Sequence, residues 1–218
     1  MTRRQIMSDV DEFIRRSLQH KTEYKVVVRG HQFIVHPQVL SPKYSYQSTF
    51  ILKNWDVENG MSVLDIGTGC GVLAISAALA GATRVTAVDR NTYACDVARK
   101  NAESNKVSGI VTVLQSNLFH SVRGRYDRIV CALPYWNRTP NPRIPLTYAV
   151  FDPKYRMARL LLTHAKRYLS RNGRLLVGFS TQGNVRLLEQ VMISNGYRIE
   201  RKVVETLGHT RILYKIAP

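Results

Sequence analysis

Acidic residues are scarce: 15 Asp and Glu face 32 Lys and Arg, for a net charge of +17 and a pI of 10.2. The resulting positive potential favours anionic partners such as nucleic acid, ribosomes or an acidic polypeptide, with a merely basic soluble surface as the alternative reading. No block of five or six like charges is present to form a binding tail. Cysteine is rare too. Cys70, Cys95 and Cys131 stand far apart with no C-x-x-C pair, so neither a zinc site nor a disulfide framework is suggested, and a reducing cytoplasm fits best. The histidines lack ligand spacing such as H-E-x-x-H, so no metal is expected. The most apolar stretch, Gly71 to Ala82, falls well short of the roughly 18 residues of a membrane span. The N-terminus has no apolar signal core, so neither export nor membrane insertion is expected.

What remains is an ordinary globular composition, 44% hydrophobic and 22% charged, over 218 residues, which suits one domain. Val10, Phe13, Ile14 and Leu18 share one helical face, predicting a short helix from Ser8 with Ser8 or Asp9 as cap. Tyr24 to Arg29 and Gln32 to His36 read as a hairpin turning at Gly30-His31, ended by Pro37. A loop then leads to a helix through Phe50, Ile51, Leu52 and Trp55.

From Ser62 onward strands and helices alternate. Strands are expected at Val63–Ile66, Val85–Val88, Val111–Leu114, Arg128–Cys131 and Arg174–Phe179, with two more near Tyr197–Val204 and Arg211–Ile216. Helices are expected at Val72–Ala80, after Asp89, at Lys154–Leu169 and at Val185–Ser194. A proline-rich loop with Pro140, Pro142 and Pro145 interrupts the pattern, and loops of such length are commonly functional. The alternation predicts an α/β, doubly wound, mostly parallel sheet. Residues 1–56 form an N-terminal helix, hairpin and substrate-side loop, and 57–218 the ligand-binding core.

The segment Val63-Leu64-Asp65-Ile66-Gly67-Thr68-Gly69-Cys70-Gly71 carries the chemistry: a buried strand enters a turn with glycines at alternate positions and then a helix. Missing Cβ atoms permit positive φ and close ligand approach, and the helix N-terminus offers free N–H groups. A dinucleotide fingerprint would place the third glycine one residue later, and Asp65 would repel a pyrophosphate. A cationic ligand fits better. Asp89, about 20 residues on at the end of the next strand, is placed to accept from ribose hydroxyls.

Val63 to Gly71 with Asp89 resembles the S-adenosylmethionine site of the class I methyltransferases, and the likeness extends over roughly Pro37 to Lys215. It implies a seven-stranded sheet whose last strand is antiparallel. It also implies a cofactor site of Asp65, Gly67, Gly69, Gly71, Asp89, Arg90, Asn117, Leu118 and Ala132. Gln115-Ser116-Asn117-Leu118-Phe119 is similar to the family's S-D-L-F adenine segment, with Asn117 in place of the acid. Ala132-Leu133-Pro134-Tyr135 aligns with the N-P-P-Y motif of enzymes acting on amide or exocyclic amino nitrogens. Ala132 removes the asparagine carbonyl that grips the planar NH₂ there.

Tyr135, Trp136 and Asn137, with Tyr46 from the N-terminal loop, are the expected catalytic set, aromatic faces suiting a sulfonium and Asn137 orienting the acceptor. Core packing is the alternative role for Trp136, and Asp152 is either a pocket acid beside Tyr155 or a helix cap. The expected reaction is in-line methyl transfer to a small-molecule acceptor positioned by the Leu133–Asn137 loop, catalysed by proximity and a fixed polar cradle. Three alternatives stand beside it. The acceptor is rRNA or a ribosomal or translation protein; the cofactor cyclises to azetidine-2-carboxylate and methylthioadenosine; or the chain is a non-catalytic nucleic-acid binder.

Overall fold

Every residue of Ser62–Ile66 (β3) after Ser62 is buried, as a strand covered on both faces requires. Side chains alternate across it: Val63 joins one core cluster, Leu64 and Ile66 the other. The computed structural model describes residues 3–207 and 209–218, with side chains described over 10–206 and 210–218. Ahead of β3 come Arg3–Leu18 (α1), Tyr24–Val28 (β1), His31–Val35 (β2) and Gln47–Asn54 (α2). After it come Val72–Leu79 (α3), Arg84–Asp89 (β4), Thr92–Ser104 (α4), Val111–Gln115 (β5) and Tyr126–Ala132 (β6). Arg156–His164 (α5), Leu169–Ser180 (β7), Val185–Ser194 (α6), Arg198–Leu207 (β8) and His209–Ala217 (β9) complete the chain.

Seven strands form one sheet in the order β5-β4-β3-β6-β7-β9-β8, parallel except for β9, which runs antiparallel to both neighbours. This is the doubly wound, mostly parallel sheet that the alternation predicts, with the seven strands and antiparallel last strand that the resemblance to class I methyltransferases implies. Because β3 pairs with β4 on one side and β6 on the other, the winding reverses there. The reversal opens a crevice at the carboxyl ends of these strands, where ligands bind in such sheets.

One face of the sheet is covered by α2, α3 and α4 through Ile51, Ala74, Ile75 and Val97, and the other by α5 and α6 through Leu161, Leu162, Leu188 and Met192. The hairpin shares the first core through Val26, Phe33 and Val35. A third cluster joins Val10, Phe13 and Ile14 of α1 to Val150, Phe151 and Trp136 of the proline-rich segment.

Three elements differ from the sequence pattern for visible reasons. The hairpin turns one residue earlier, at Arg29-Gly30, with φ of 50° and 83°, the paired positive values that match the twist of a two-residue turn. The helix expected from Lys154 starts only at Arg156, because Lys154 and Tyr155 are both left-handed, at φ 56° and 54°. It ends at His164, short of Leu169, where a 3₁₀ turn, Ala165–Tyr168, takes over. α1 begins at Arg3, so neither Ser8 nor Asp9 stands at its N-terminus, and their side chains lie outside the described residues. Among the described residues no helix is long and apolar enough to cross a membrane, and no group of His, Cys, Asp or Glu is arranged to hold a metal.

Candidate functional site

The glycine turn is stitched to the end of β4: Gly67 N and Thr68 N both donate to Val88 O, at 2.8 and 3.0 Å. Gly67, Gly69 and Gly71 have φ of 76°, 56° and 87°, a region that favours glycine. Their surroundings differ. A Cβ on Gly67 would meet nothing within 4 Å, and one on Gly69 only Val39 at 3.9 Å. On Gly71 it would press against Ile75 Cδ1 at 3.0 Å and Ala98 at 3.4 Å. Gly67 and Gly69 therefore leave room for a ligand, whereas Gly71 lets α3 and α4 pack.

Two carboxylates anchor the turn from below and beside. Asp65 is buried, and its Oδ2 accepts from Thr68 Oγ1 at 2.7 Å and Ala74 N at 3.1 Å, while Oδ1 is buried without a partner. Burial pushes this carboxyl up to about 7, against the Thr68 and Ala74 hydrogen bonds that favour ionisation. Asp89 accepts from Gly69 N at 3.0 Å and Asn91 N at 2.9 Å, and burial raises it as well. These bonds hold the Asp89 carboxylate at the wall of a cavity of about 390 Å³, within the size range of small-ligand sites.

Gly67, Gly69, Asp89, Arg90, Asn117, Leu118 and Ala132 all line that cavity. The Asn117-Leu118 turn is held by Ser116, whose Oγ donates to Leu118 O at 2.9 Å and accepts from Ser121 N at 3.0 Å. Leu118 is itself left-handed at φ 51°, strain of the kind found where a loop is fixed for a ligand. Asp65 and Gly71 lie behind the lining. The open space over Gly67, the acceptor oxygens of Asp89 and the unpartnered Asp65 Oδ1 beneath fit a ligand that combines ribose hydroxyls with positive charge.

The expected catalytic side chains are elsewhere: none of Tyr46, Tyr135, Trp136 and Asn137 lines the cavity. Tyr46 is 59% exposed, with the Arg211 guanidinium 5.4 Å from its ring centre. Tyr135 packs on Trp136 at 4.4 Å and edge-on to Phe179 at 6.1 Å, and burial pushes its hydroxyl up to about 12. Trp136 takes the packing role: it sits in the third cluster, its Nε1 buried without a partner, and its O accepts from Asp152 N at 2.9 Å. Asn137 is exposed and accepts from Lys154 N at 2.7 Å, fixing the left-handed start of α5. Asp152 lines the cavity but caps α5, accepting from Met157 N at 2.9 Å and Ala158 N at 3.0 Å. Tyr155 accepts from Asn184 N at 2.9 Å.

Several cavity or support residues escaped sequence reasoning. Asn91 caps α4 and ties Gln38 O to the site at 2.8 Å; its place two residues after Asp89, before a helix, was the available signal. Asn101, fully buried, donates to both Ile34 O and Cys70 O at 2.8 Å, joining hairpin, α4 and glycine turn. Gln47, Tyr148 and Arg156 line the cavity through long-range folding that no local pattern announces.

The methyltransferase small domain family model matches residues 30–200. The release factor glutamine methyltransferase of Rhodopirellula baltica is 34% identical over 168 residues, 70% of this chain and 55% of that protein. The ribosomal protein L11 methyltransferase of Pelotomaculum thermopropionicum is 54% identical over 74 residues, 34% of this chain and 24% of its own length. The chain thus spans roughly a quarter to a half of these two curated relatives. A crystal structure of a methyltransferase from Pyrococcus furiosus superposes over 96% of both chains with a TM-score of 0.68 at 19% identity, a likeness of fold. With the family model spanning most of its length, the chain belongs to the methyltransferase small domain family of class I S-adenosylmethionine-dependent methyltransferases.

Proposed function

We propose that the protein transfers a methyl group from S-adenosylmethionine to a protein of the translation apparatus. The observation that carries the cofactor half is the pairing of open space over Gly67 with the Asp89 carboxylate at the ends of β3 and β4. The relatives carry the acceptor half: those named above act on a release factor and on a ribosomal protein. A small-molecule acceptor, the first expectation from the sequence, has no such support.

Asp89 would accept from the ribose hydroxyls, Asn117 and Leu118 would border the adenine, and Gly67 and Gly69 would pass beneath the methionine portion. Bound there, the cofactor supplies an electrophilic methyl group on a sulfonium. The buried Asp65, whose carboxyl burial pushes up to about 7, would be drawn toward its ionised form by that positive charge above it. The proline-rich wall, with Pro134, Leu146 and Phe151, excludes water and holds reactants at attack distance, the main source of rate for a displacement that needs no covalent intermediate.

One observation favours RNA of the same apparatus as a second reading. Residues 128–188 carry eleven Lys or Arg and one acid, Asp152, which is buried as a helix cap. Arg143 lies in the proline-rich segment, as does Arg138, which pairs with Asp11 at 2.8 Å, and Arg156 lines the cavity, an electrostatic setting suited to a phosphate backbone.

The test is incubation of the protein with methyl-tritiated S-adenosylmethionine and dissociated ribosomal subunits or release factors, followed by separation of protein from RNA. Label in protein is the expected result, and label in RNA replaces it with the second reading. Methylthioadenosine without label would mean cyclisation of the cofactor. Saturable RNA binding without turnover would mean a binder.

A further inference from the structure

Gln47 is a polar side chain of the cavity wall, between Ser45 and Ser48, which also line it. It opens α2, is only 6% exposed and lines the cavity. Its Nε2 donates to Phe179 O at 3.2 Å, which orients the carboxamide, since only the NH₂ end donates to a carbonyl. Among the described residues Oε1 makes no hydrogen bond. Unlike the buried, unpartnered oxygens elsewhere, it is not sealed in the core. An acceptor oxygen at a cavity wall is satisfied by water in the empty site and is free to take a ligand donor that displaces it.

The neighbouring strand explains why the carboxamide fits. Gly178 is the register partner of Ala132, and a Cβ on Gly178 would lie 2.6 Å from Gln47 Nε2. In parallel strands register partners project to the same face, so Gln47 occupies the space over Gly178 one strand spacing, about 4.8 Å, from the Ala132 side. Ala132 contributes only a methyl there. Across the ends of the strands the order is Asp89 on β4, Gly67 after β3, Ala132 on β6 and Gly178 on β7. A cofactor with its ribose at Asp89 and its methionine over Gly67 therefore presents its far side toward Ala132 and Gln47.

We infer that Gln47 orients the methyl acceptor, its Oε1 accepting a hydrogen bond from an N–H or O–H on the group that receives the methyl. The inference rests on the cofactor placement proposed above. It differs from a mere tether of α2 to β7, for which Nε2 alone would serve and Oε1 would be idle.

The test needs no natural acceptor. Two S-adenosylhomocysteine analogues carry nitrogen in place of sulfur, one with a carbamoylethyl arm and one with a 3-oxobutyl arm of the same shape lacking N–H. Calorimetry on the wild-type protein is expected to show the carbamoyl compound bound several-fold to about tenfold more tightly, as one net hydrogen bond gives. Gln47→Met, which retains length and packing over Gly178, should abolish the preference. Ala132→Asn in that background should restore it. Equal affinity for the two arms in the wild type overturns the inference without needing any variant to fold. Failure of S-adenosylmethionine itself to bind instead overturns the cofactor placement, and the inference with it.

Discussion

The Arg90 guanidinium lies 3.9 Å from the centre of the Tyr148 ring, across the cavity that both residues line. Arg90 follows Asp89 at the end of β4, and Tyr148 sits in the 3₁₀ turn Pro145–Ala149 of the proline-rich segment. One contact therefore joins two walls of the site that are far apart in sequence. A cation over an aromatic face is worth about 0.5–1 kcal/mol where water reaches it. Tyr148→Ala should accordingly speed release of S-adenosylhomocysteine about two- to fivefold in stopped-flow displacement, with little change in melting temperature. An unchanged release rate would show that the segment does not retain the ligand.

Gly67 and Gly71 share a motif and a positive φ, yet alanine should act differently at the two. At Gly67 the added methyl projects into open space, so the variant should fold, with strain of about 1 kcal/mol, and should lose most cofactor affinity by obstruction. At Gly71 it collides with Ile75 and Ala98, and destabilisation of about 1–3 kcal/mol is expected, with near-normal affinity in the fraction that folds. Paired thermal melts and calorimetry check this. Equal loss of affinity in both variants would contradict the division.

Asp89→Ala should weaken S-adenosylmethionine about 10- to 100-fold by calorimetry, the scale of one or two hydrogen bonds to a charged group. The same change strands Gly69 N and Asn91 N, so a modest fall in stability accompanies it. Asp89→Asn, which retains one acceptor oxygen, should be milder on both counts. Full affinity in the alanine variant would remove the ribose from this wall.

These contrasts mark how far the sequence was legible. Short-range signals carried the fold: β-rich runs, the glycine turn and the acid ending β4 each report on their immediate neighbours, and all three stand where the pattern places them. The acceptor side was less legible because it is assembled across the chain. Tyr135 and Trp136 follow β6 in sequence, but a strand end can send its next residues either over the ligand or into the core. Here the isolated pairing of Trp136 with Phe151 and the apolar cluster under α1 turn Trp136 inward, and Tyr135 packs edge-on to Phe179 in the core beneath α5 and α6. Gln47 and Tyr148 reach the cavity only through tertiary packing, and Asn137, read as an acceptor guide, is spent on the backbone of Lys154.

The pH dependence of both folding and binding should pass through Asp65. Burial holds its carboxyl near 7, against an ordinary value of 3.8. Between about pH 4 and 7 the native protein thus retains a proton that the unfolded chain has released. Stability must therefore fall as pH rises through that window and level off above it, by at most a few kcal/mol. Asp65→Asn leaves an oxygen for Thr68 and Ala74 but cannot ionise, so its urea midpoint should vary less over the same range. A cationic ligand above the turn favours the ionised carboxylate, so S-adenosylmethionine binding at pH 6 should release part of a proton and affinity should rise toward pH 8. Asp89, also raised by burial, contributes with the same sign, which makes the Asp65→Asn protein the necessary comparison. Calorimetry in buffers of unequal ionisation enthalpy reads the proton directly. Binding heats that agree between buffers in the wild type would mean that no positive charge sits over this turn, and the ligand's orientation would have to be reversed.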